Sequence, residues 1–168
     1  MIKRVKIPEE RLAVIIGTRG KTRKLVEKKT NTKITVTDEV EISGESLDVM
    51  VAENIVKAIG RGFSPENSIE LLDEENTLLI IDLPKNEKEL KRIKSRLIGT
   101  KGKSRRNLEL LTKTKISIYG WTAGIIGKYD GVKMAEDAIG RLIKGISHKS
   151  VYEYLEKKKT SEENFMDV

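Results

Sequence analysis

The sequence has no cysteine and a single histidine, His148. Disulfides, thiol catalysis and cysteine-type zinc sites are therefore excluded, and a histidine-based metal site has no ligand set. Long apolar runs are missing too. The longest, Leu12 to Ile16, falls far short of the ~20 residues that cross a bilayer, so no membrane partner is expected. Met1-Ile2-Lys3-Arg4-Val5 lacks the apolar stretch of a signal peptide, and the chain reads as cytoplasmic. The acids Asp73-Glu74-Glu75 have no histidine or apolar run beside them, so they form no acid–base or metal constellation. No catalytic residue, metal or cofactor is expected.

Charge is what the chain has in quantity. Asp, Glu, Lys and Arg make up 35% of it, with 33 bases against 26 acids, a net charge of +7 and a pI near 9.5. That balance favours an anionic partner, either nucleic acid or an acidic membrane surface, and says nothing about fold. A length of 168 residues with 38% apolar content suits one medium domain or two small ones.

An internal repeat decides for two. Ile16 to Val36 reads IGTRGKTRKLVEKKTNTKITV, and 82 residues later Ile98 to Ile118 reads IGTKGKSRRNLELLTKTKISI. Of these 21 positions 11 are identical, and Arg19/Lys101, Thr22/Ser104 and Thr35/Ser117 are close exchanges. A weaker echo follows, with Ala52-Glu53-Asn54 and Ala135-Glu136-Asp137 each inside an apolar helix.

Both halves spell the same elements. In the first, Val5 to Ile7 is a strand ended by Pro8, and Glu9 to Ile16 is a short helix. Lys21 to Thr30 is a very basic helix. Lys33 to Thr37 and Val40 to Ser43 alternate as strands around the turn Asp38-Glu39. Glu45 to Ile59 is a long helix with Leu47, Val51, Ile55 and Ile59 as its expected apolar stripe. In the second half, Thr77 to Leu83 is apolar on both faces and is expected to be a buried strand. Helices Glu87 to Ile98 and Lys103 to Thr112, strands Lys115 to Tyr119 and Ala123 to Ile126, and helix Asp130 to Ile143 follow. The order β-α-α-β-β-α thus appears twice, in expected domains 1–62 and 77–146.

The joining segment 63–76 carries five acids and no base. Its Ser64-Pro65-Glu66 is a helix start: a capping hydroxyl, a proline in the first turn and an acid near the positive dipole end. Residues 147–168 are expected to hold one more helix, Val151 to Lys159, and an acidic tail fraying from Thr160.

The chemistry concentrates where the first two helices of each half meet. There stand Ile15-Ile16-Gly17-Thr18-Arg19-Gly20-Lys21 and Leu97-Ile98-Gly99-Thr100-Lys101-Gly102-Lys103. The first glycine can end a helix in the left-handed conformation, and the second opens the next helix without a side chain in the way. Backbone N–H groups and a positive dipole end then offer a phosphate seat. Thr18, Arg19, Lys21, Arg23 and Lys24 surround one seat, and Thr100, Lys101, Lys103, Arg105 and Arg106 the other. Charge agrees: Ile15 to Lys33 holds seven bases and one acid, Pro84 to Arg106 ten bases and two acids, and the remainder is net negative. Gly20-Lys21-Thr22 and Gly102-Lys103-Ser104 look like the tail of a P-loop. That loop needs a glycine where Ile15 and Leu97 stand, and a strand rather than a helix before it, so nucleotide hydrolysis is not expected.

Ile-Ile-Gly-x-x-Gly-Lys between two helices, followed by a hairpin and a long helix, resembles the KH domain of the eukaryotic type, twice over. The resemblance implies an α+β fold of two tandem type I KH domains, each a three-stranded sheet with three helices on one face. It implies single-stranded RNA as partner, with about four nucleotides clamped at the GxxG loop. The groove floor would be Ile15, Ile16, Leu25 and Ile34 in the first unit, and Leu97, Ile98, Leu108 and Ile116 in the second.

Phe63 to Glu66, the hairpin Tyr119 to Gly127 and the segment His148 to Leu155 are similar to archaeal relatives of the partner-of-Nob and KRR-type small-subunit ribosome assembly factors. That implies a small-subunit rRNA precursor near its 3′ end, and a PIN-domain endonuclease or a translation factor as protein partner. An adaptor that docks such a protein, or a general RNA-processing or exosome-type binder, are the alternatives. Trp121 at the hairpin tip is expected either to stack on a base or to pack on the C-terminal helix, and His148 to start that helix.

Overall fold

Alternating burial along the central strand of the first half, Val40–Ser43, decides which face of its sheet carries the helices. The computed structural model describes residues 1–166, as a first unit Met1–Leu78 and a second that begins at Leu79. The first unit runs β1 (Ile2–Val5), α1 (Glu9–Ile16), α2 (Lys21–Thr30), β2 (Lys33–Val36), β3 (Val40–Ser43) and α3 (Ser46–Gly60). Its antiparallel sheet has the order β1-β3-β2. The register sets Val5 against Val40 and Ile34 against Ile42, and all four are buried. Side chains alternate along a strand, so Glu41 and Ser43 point to the other face, where Arg4 lies 3.2 Å from Glu41.

Helix α3 packs on α1, α2 and the sheet through Val49, Ala52, Ile55, Val56 and Ile59. The stripe expected from Leu47 is thus corrected, since Leu47 is 77% exposed. A line of i, i+4 steps drifts around a helix, whereas Val49, Ala52, Val56 and Ile59 alternate steps of three and four and stay on one face. Ser64 Oγ accepts the Asn67 N–H at 3.1 Å and caps α4 (Pro65–Ser68), which runs into a 3₁₀ turn at Ile69–Leu72. Both lie against α3, with Phe63 and Leu71 buried. The joining segment is helical and folds onto the first unit.

Strand β4 (Asn76–Asp82) begins in the last residues of the first unit, and the second unit continues with α5 (Glu87–Ile98), α6 (Lys103–Thr112), β5 (Lys115–Tyr119), β6 (Thr122–Lys128), α7 (Tyr129–Ile143) and α8 (His148–Met166), with sheet order β4-β6-β5. Asn86 Oδ1 caps α5 by accepting from the N–H groups of Lys88 and Glu89. Two expectations need correction here. Strand β4 is an edge strand, half-buried rather than buried, with Leu79 and Ile81 against the core. The final helix is longer than Val151 to Lys159 and remains helical through Met166; the last two residues of the expected tail lie outside the described residues. Val151 and Leu155 anchor it in the core.

One side chain closes the end of the long helix in each unit. Arg11 donates from Nε to Ile59 O at 2.8 Å and from Nη2 to Phe63 O at 2.9 Å. Arg96 does the same to Leu142 O at 3.0 Å and Ile146 O at 2.7 Å. These arginines are not repeat counterparts, because position 11 corresponds to Ile93. Arg96 sits one turn further along its helix yet reaches the same carbonyls.

Candidate nucleic-acid interface

The two GxxG loops have one geometry. Gly17 (φ 73°, ψ 176°) and Gly99 (φ 74°, ψ 174°) occupy a region open essentially to glycine alone. A Cβ on Gly17 would stand 2.3 Å from Thr22 Oγ1, and one on Gly99 2.8 Å from both Cβ and N of Ser104. The first glycine therefore lets the loop fold back on the opening turn of the next helix. Arg19 and Lys101 are left-handed without being glycine, a strained conformation shared by both units. Gly20 and Gly102 are left-handed at the N-caps of α2 and α6. A Cβ on Gly20 would meet nothing nearer than 3.8 Å, so the second glycine leaves open surface at a positive helix end. Some loop donors serve the turn itself: the N–H groups of Gly20 and Gly102 donate to Gly17 O and Gly99 O at 3.2 Å.

Thr18, Arg19, Lys21 and Lys24 are exposed around the first loop, and Thr100, Lys101, Lys103 and Arg106 around the second. Arg106 Nη1 also donates to Lys101 O at 2.7 Å, bracing the strained residue. Arg23 and Arg105 are half-buried and ion-paired. Arg23 Nη1 is 3.0 Å from Glu27 Oε1, while Glu27 Oε2 accepts the Ile34 N–H at 2.8 Å. Arg105, Glu109 and Ile116 repeat the bridge at 2.8 and 2.9 Å. These half-buried, charge-assisted links pin the second helix to the sheet.

Of the expected floor, Ile16 and Leu25 are exposed and Ile98 half-buried, but Ile15, Ile34, Leu97, Leu108 and Ile116 are core beneath the groove. Leu25 and Leu108 do not correspond: the counterpart of Leu25 is Asn107, and that of Leu108 is the buried Val26.

The units differ at the groove rim. In the second, a groove of about 700 Å³ is lined by Leu90, Lys91, Lys94 and Ile98 of α5, by the loop at Gly99 and Thr100, and by Trp121. Glu87 and Ser95 complete its edge. Trp121 lines this groove and is not part of the core closed by α8. Helix α5 carries five bases and two acids, whereas α1 carries Glu9, Glu10 and one base, the carbonyl-bound Arg11. In the first unit Val36 pairs with Val40 across Thr37-Asp38-Glu39, and in the second Tyr119 pairs with Thr122 across Gly120-Trp121. The hairpin of the second unit is one residue longer overall, which moves the repeat offset from 82 to 83. Carboxylates thus stand at one tip and an indole at the other.

In the sequence, Lys91 and Lys94 belong to the basic stretch but point to no site of their own. The signal was there, since Leu90, Lys91, Lys94 and Ile98 share one helical face. His148 starts α8 and donates from Nε2 to Arg96 O at 2.8 Å. Among the described residues there is no cluster of metal-ligating side chains, and no helix is long and apolar enough to cross a membrane.

Comparison with known proteins agrees with this geometry. The family model for the second KH domain of PNO1, a eukaryotic type KH-domain (KH-domain type I), matches residues 8–77 and again 77–160. The chain belongs to the PNO1-type KH family. Its tandem KH halves are 38% identical to the KH domain-containing protein MJ0443 of Methanocaldococcus jannaschii, over 94% of this chain and 74% of that protein. They are 29% identical to the RNA-binding protein PNO1 of Oryzias latipes, over 68% of this chain and half of that protein. A chain in the crystal structure of the a/eIF2alpha-aDim2p-rRNA complex from Pyrococcus horikoshii OT3 superposes with a TM-score of 0.90 at 42% identity, over 96% of this KH protein and 95% of that chain.

Proposed function

We propose that this KH protein binds single-stranded RNA chiefly through its second unit, that the RNA is small-subunit rRNA near its 3′ end, and that it cuts nothing itself. The observation that carries this is the second groove. It joins an open GxxG loop to a lysine-lined helix face and an aromatic tip, while the matching tip of the first unit is acidic. Gly102 lets a phosphate approach the start of α6 closely, and Thr100, Lys101 and Lys103 hold it. Lys91 and Lys94 neutralise neighbouring phosphates, and bases lie over Leu90 and Ile98. The rRNA setting is supported by family membership and by the solved complex of a relative with rRNA. The chain then shields or presents a site for another protein, such as a PIN-domain endonuclease.

The acidic rim of the first unit favours a second, compatible role as the side that docks a protein such as a translation factor. The test is RNA affinity of the parent, Thr18→Asp/Arg19→Asp and Thr100→Asp/Lys101→Asp for an rRNA 3′-end oligonucleotide and a scrambled control. The second pair is expected to lose most binding and the first pair little. Unchanged binding by both would make the loops structural turns only.

A further inference from the structure

Trp121 is the only tryptophan in the chain, and the fold leaves it 49% exposed. Nothing about the turn itself calls for an indole. The two-residue loop is satisfied by Gly120 in its first position at φ 55°, the arrangement of a type II′ hairpin, and small polar residues suit the second position. Yet the residue is held firmly. Its carbonyl accepts the Leu83 N–H at 2.7 Å, and Thr122 Oγ1 donates to Tyr119 O at 3.1 Å beside it. A large flat aromatic face on a fixed mount, with half its surface in water, is built for a ligand rather than for packing.

The surroundings say which ligand. Leu90 and Ile98 give the groove an aliphatic wall, Lys91 and Lys94 give it cations, and the GxxG loop begins at its end with Gly99 and Thr100. Its volume of about 700 Å³ lies within the ~300–1,000 Å³ of ordinary ligand sites. An apolar slot with an indole on one side and ammonium groups on its rim matches a planar ring attached to an anion. Sequence-tolerant binding of single strands combines these two parts, aromatic stacking and a positive groove. The matching tip of the first unit carries Asp38 and Glu39, the latter 3.8 Å from Arg4, and no aromatic residue, and so lacks this surface.

We propose that Trp121 is a stacking platform for one nucleobase of the bound single strand, with Lys91 and Lys94 on the flanking phosphates. The inference rests on the RNA reading above and adds to it a contact beyond the GxxG clamp. A purine, with the larger face, is preferred at that position.

The lone indole makes its own probe. Titration of the full chain with a short single-stranded rRNA oligonucleotide is expected to quench Trp121 fluorescence saturably. By anisotropy of labelled RNA, Trp121→Ala weakens binding about tenfold, the loss of one stacked base, and Trp121→Phe retains most of it. A single abasic site moved along the RNA should cost the parent a similar factor at one position, and cost Trp121→Ala nothing further there. If RNA binds and is lost in Thr100→Asp/Lys101→Asp, but fluorescence stays constant and Trp121→Ala binds like the parent, stacking is refuted and the RNA reading stands. If the parent binds no RNA, both fall.

Discussion

Alanine at the two glycines of the second loop is expected to separate folding from binding. At Gly99 the backbone (φ 74°, ψ 174°) costs a non-glycine residue ~1–3 kcal/mol. A methyl there would also stand 2.8 Å from backbone N and Cβ of Ser104, and such overpacking costs a further ~1–3 kcal/mol. The sum, about 2–6 kcal/mol, is a large part of the ~5–15 kcal/mol that stabilises a domain. At Gly102 the left-handed backbone costs ~1–2 kcal/mol. The nearest atom to a methyl is Arg106 Nη1 at 3.4 Å, an ordinary van der Waals distance, so no clash is added. With roughly 4–8 °C per kcal/mol for a domain of this size, Gly99→Ala should lower the melting temperature of the second unit by at least about 10 °C, and Gly102→Ala by about half as much or less. Trp121 reports that unit alone, because the first unit has no tryptophan. RNA affinity should follow the opposite order among folded protein: Gly102→Ala puts its methyl on the open loop surface and loses about tenfold, ~1.4 kcal/mol. Equal destabilisation by the two variants, or parent-like RNA binding by Gly102→Ala, would refute the division of labour between the glycines.

Glu109→Ala removes the carboxylate shared by Arg105 and the Ile116 N–H, and should cost the second unit ~1–3 kcal/mol in urea unfolding followed by Trp121 fluorescence. Arg96→Ala leaves Leu142 O and Ile146 O without their guanidinium. Hydrogen exchange from the end of α7 into α8 should speed up, with a stability loss of ~1–3 kcal/mol. Lys91→Ala/Lys94→Ala should leave stability within ~0.5 kcal/mol and lower the slope of log K against log salt by about 0.7 for each phosphate no longer neutralised.

Helices α1, α2 and α6 and strand β3 have the bounds read from the sequence, because each is fenced by a proline, a glycine or a tight turn and filled by a clear period. The GxxG loops were legible from residue type and duplication. What was not legible depends on partners distant in sequence. Leu47 fits an apolar stripe on a helical wheel, but only the placement of α1 and α2 decides which face of α3 is covered. The apolar run of β4 reads as a buried strand, yet its half-exposure follows from lying at a sheet edge. The ion pairs of Arg23 and Arg105 were not legible, because they depend on Glu27 and Glu109, one turn on, reaching the next strand. The exchange of roles between Arg11 and Arg96 leaves no repeat signal, since the two residues do not align. That Lys91 and Lys94 line one groove with Trp121 depends on where the hairpin tip lies, which no local pattern gives.

The most direct test of a groove in the second unit that grips RNA is an exchange footprint: amide hydrogen exchange of the full chain with and without saturating single-stranded rRNA 3′-end oligonucleotide. Protection is expected to gather in residues 98–106 and around 119–122, with little change in 16–24. Protection confined to 16–24, or none in either loop while RNA is bound, would contradict a grip by the second unit.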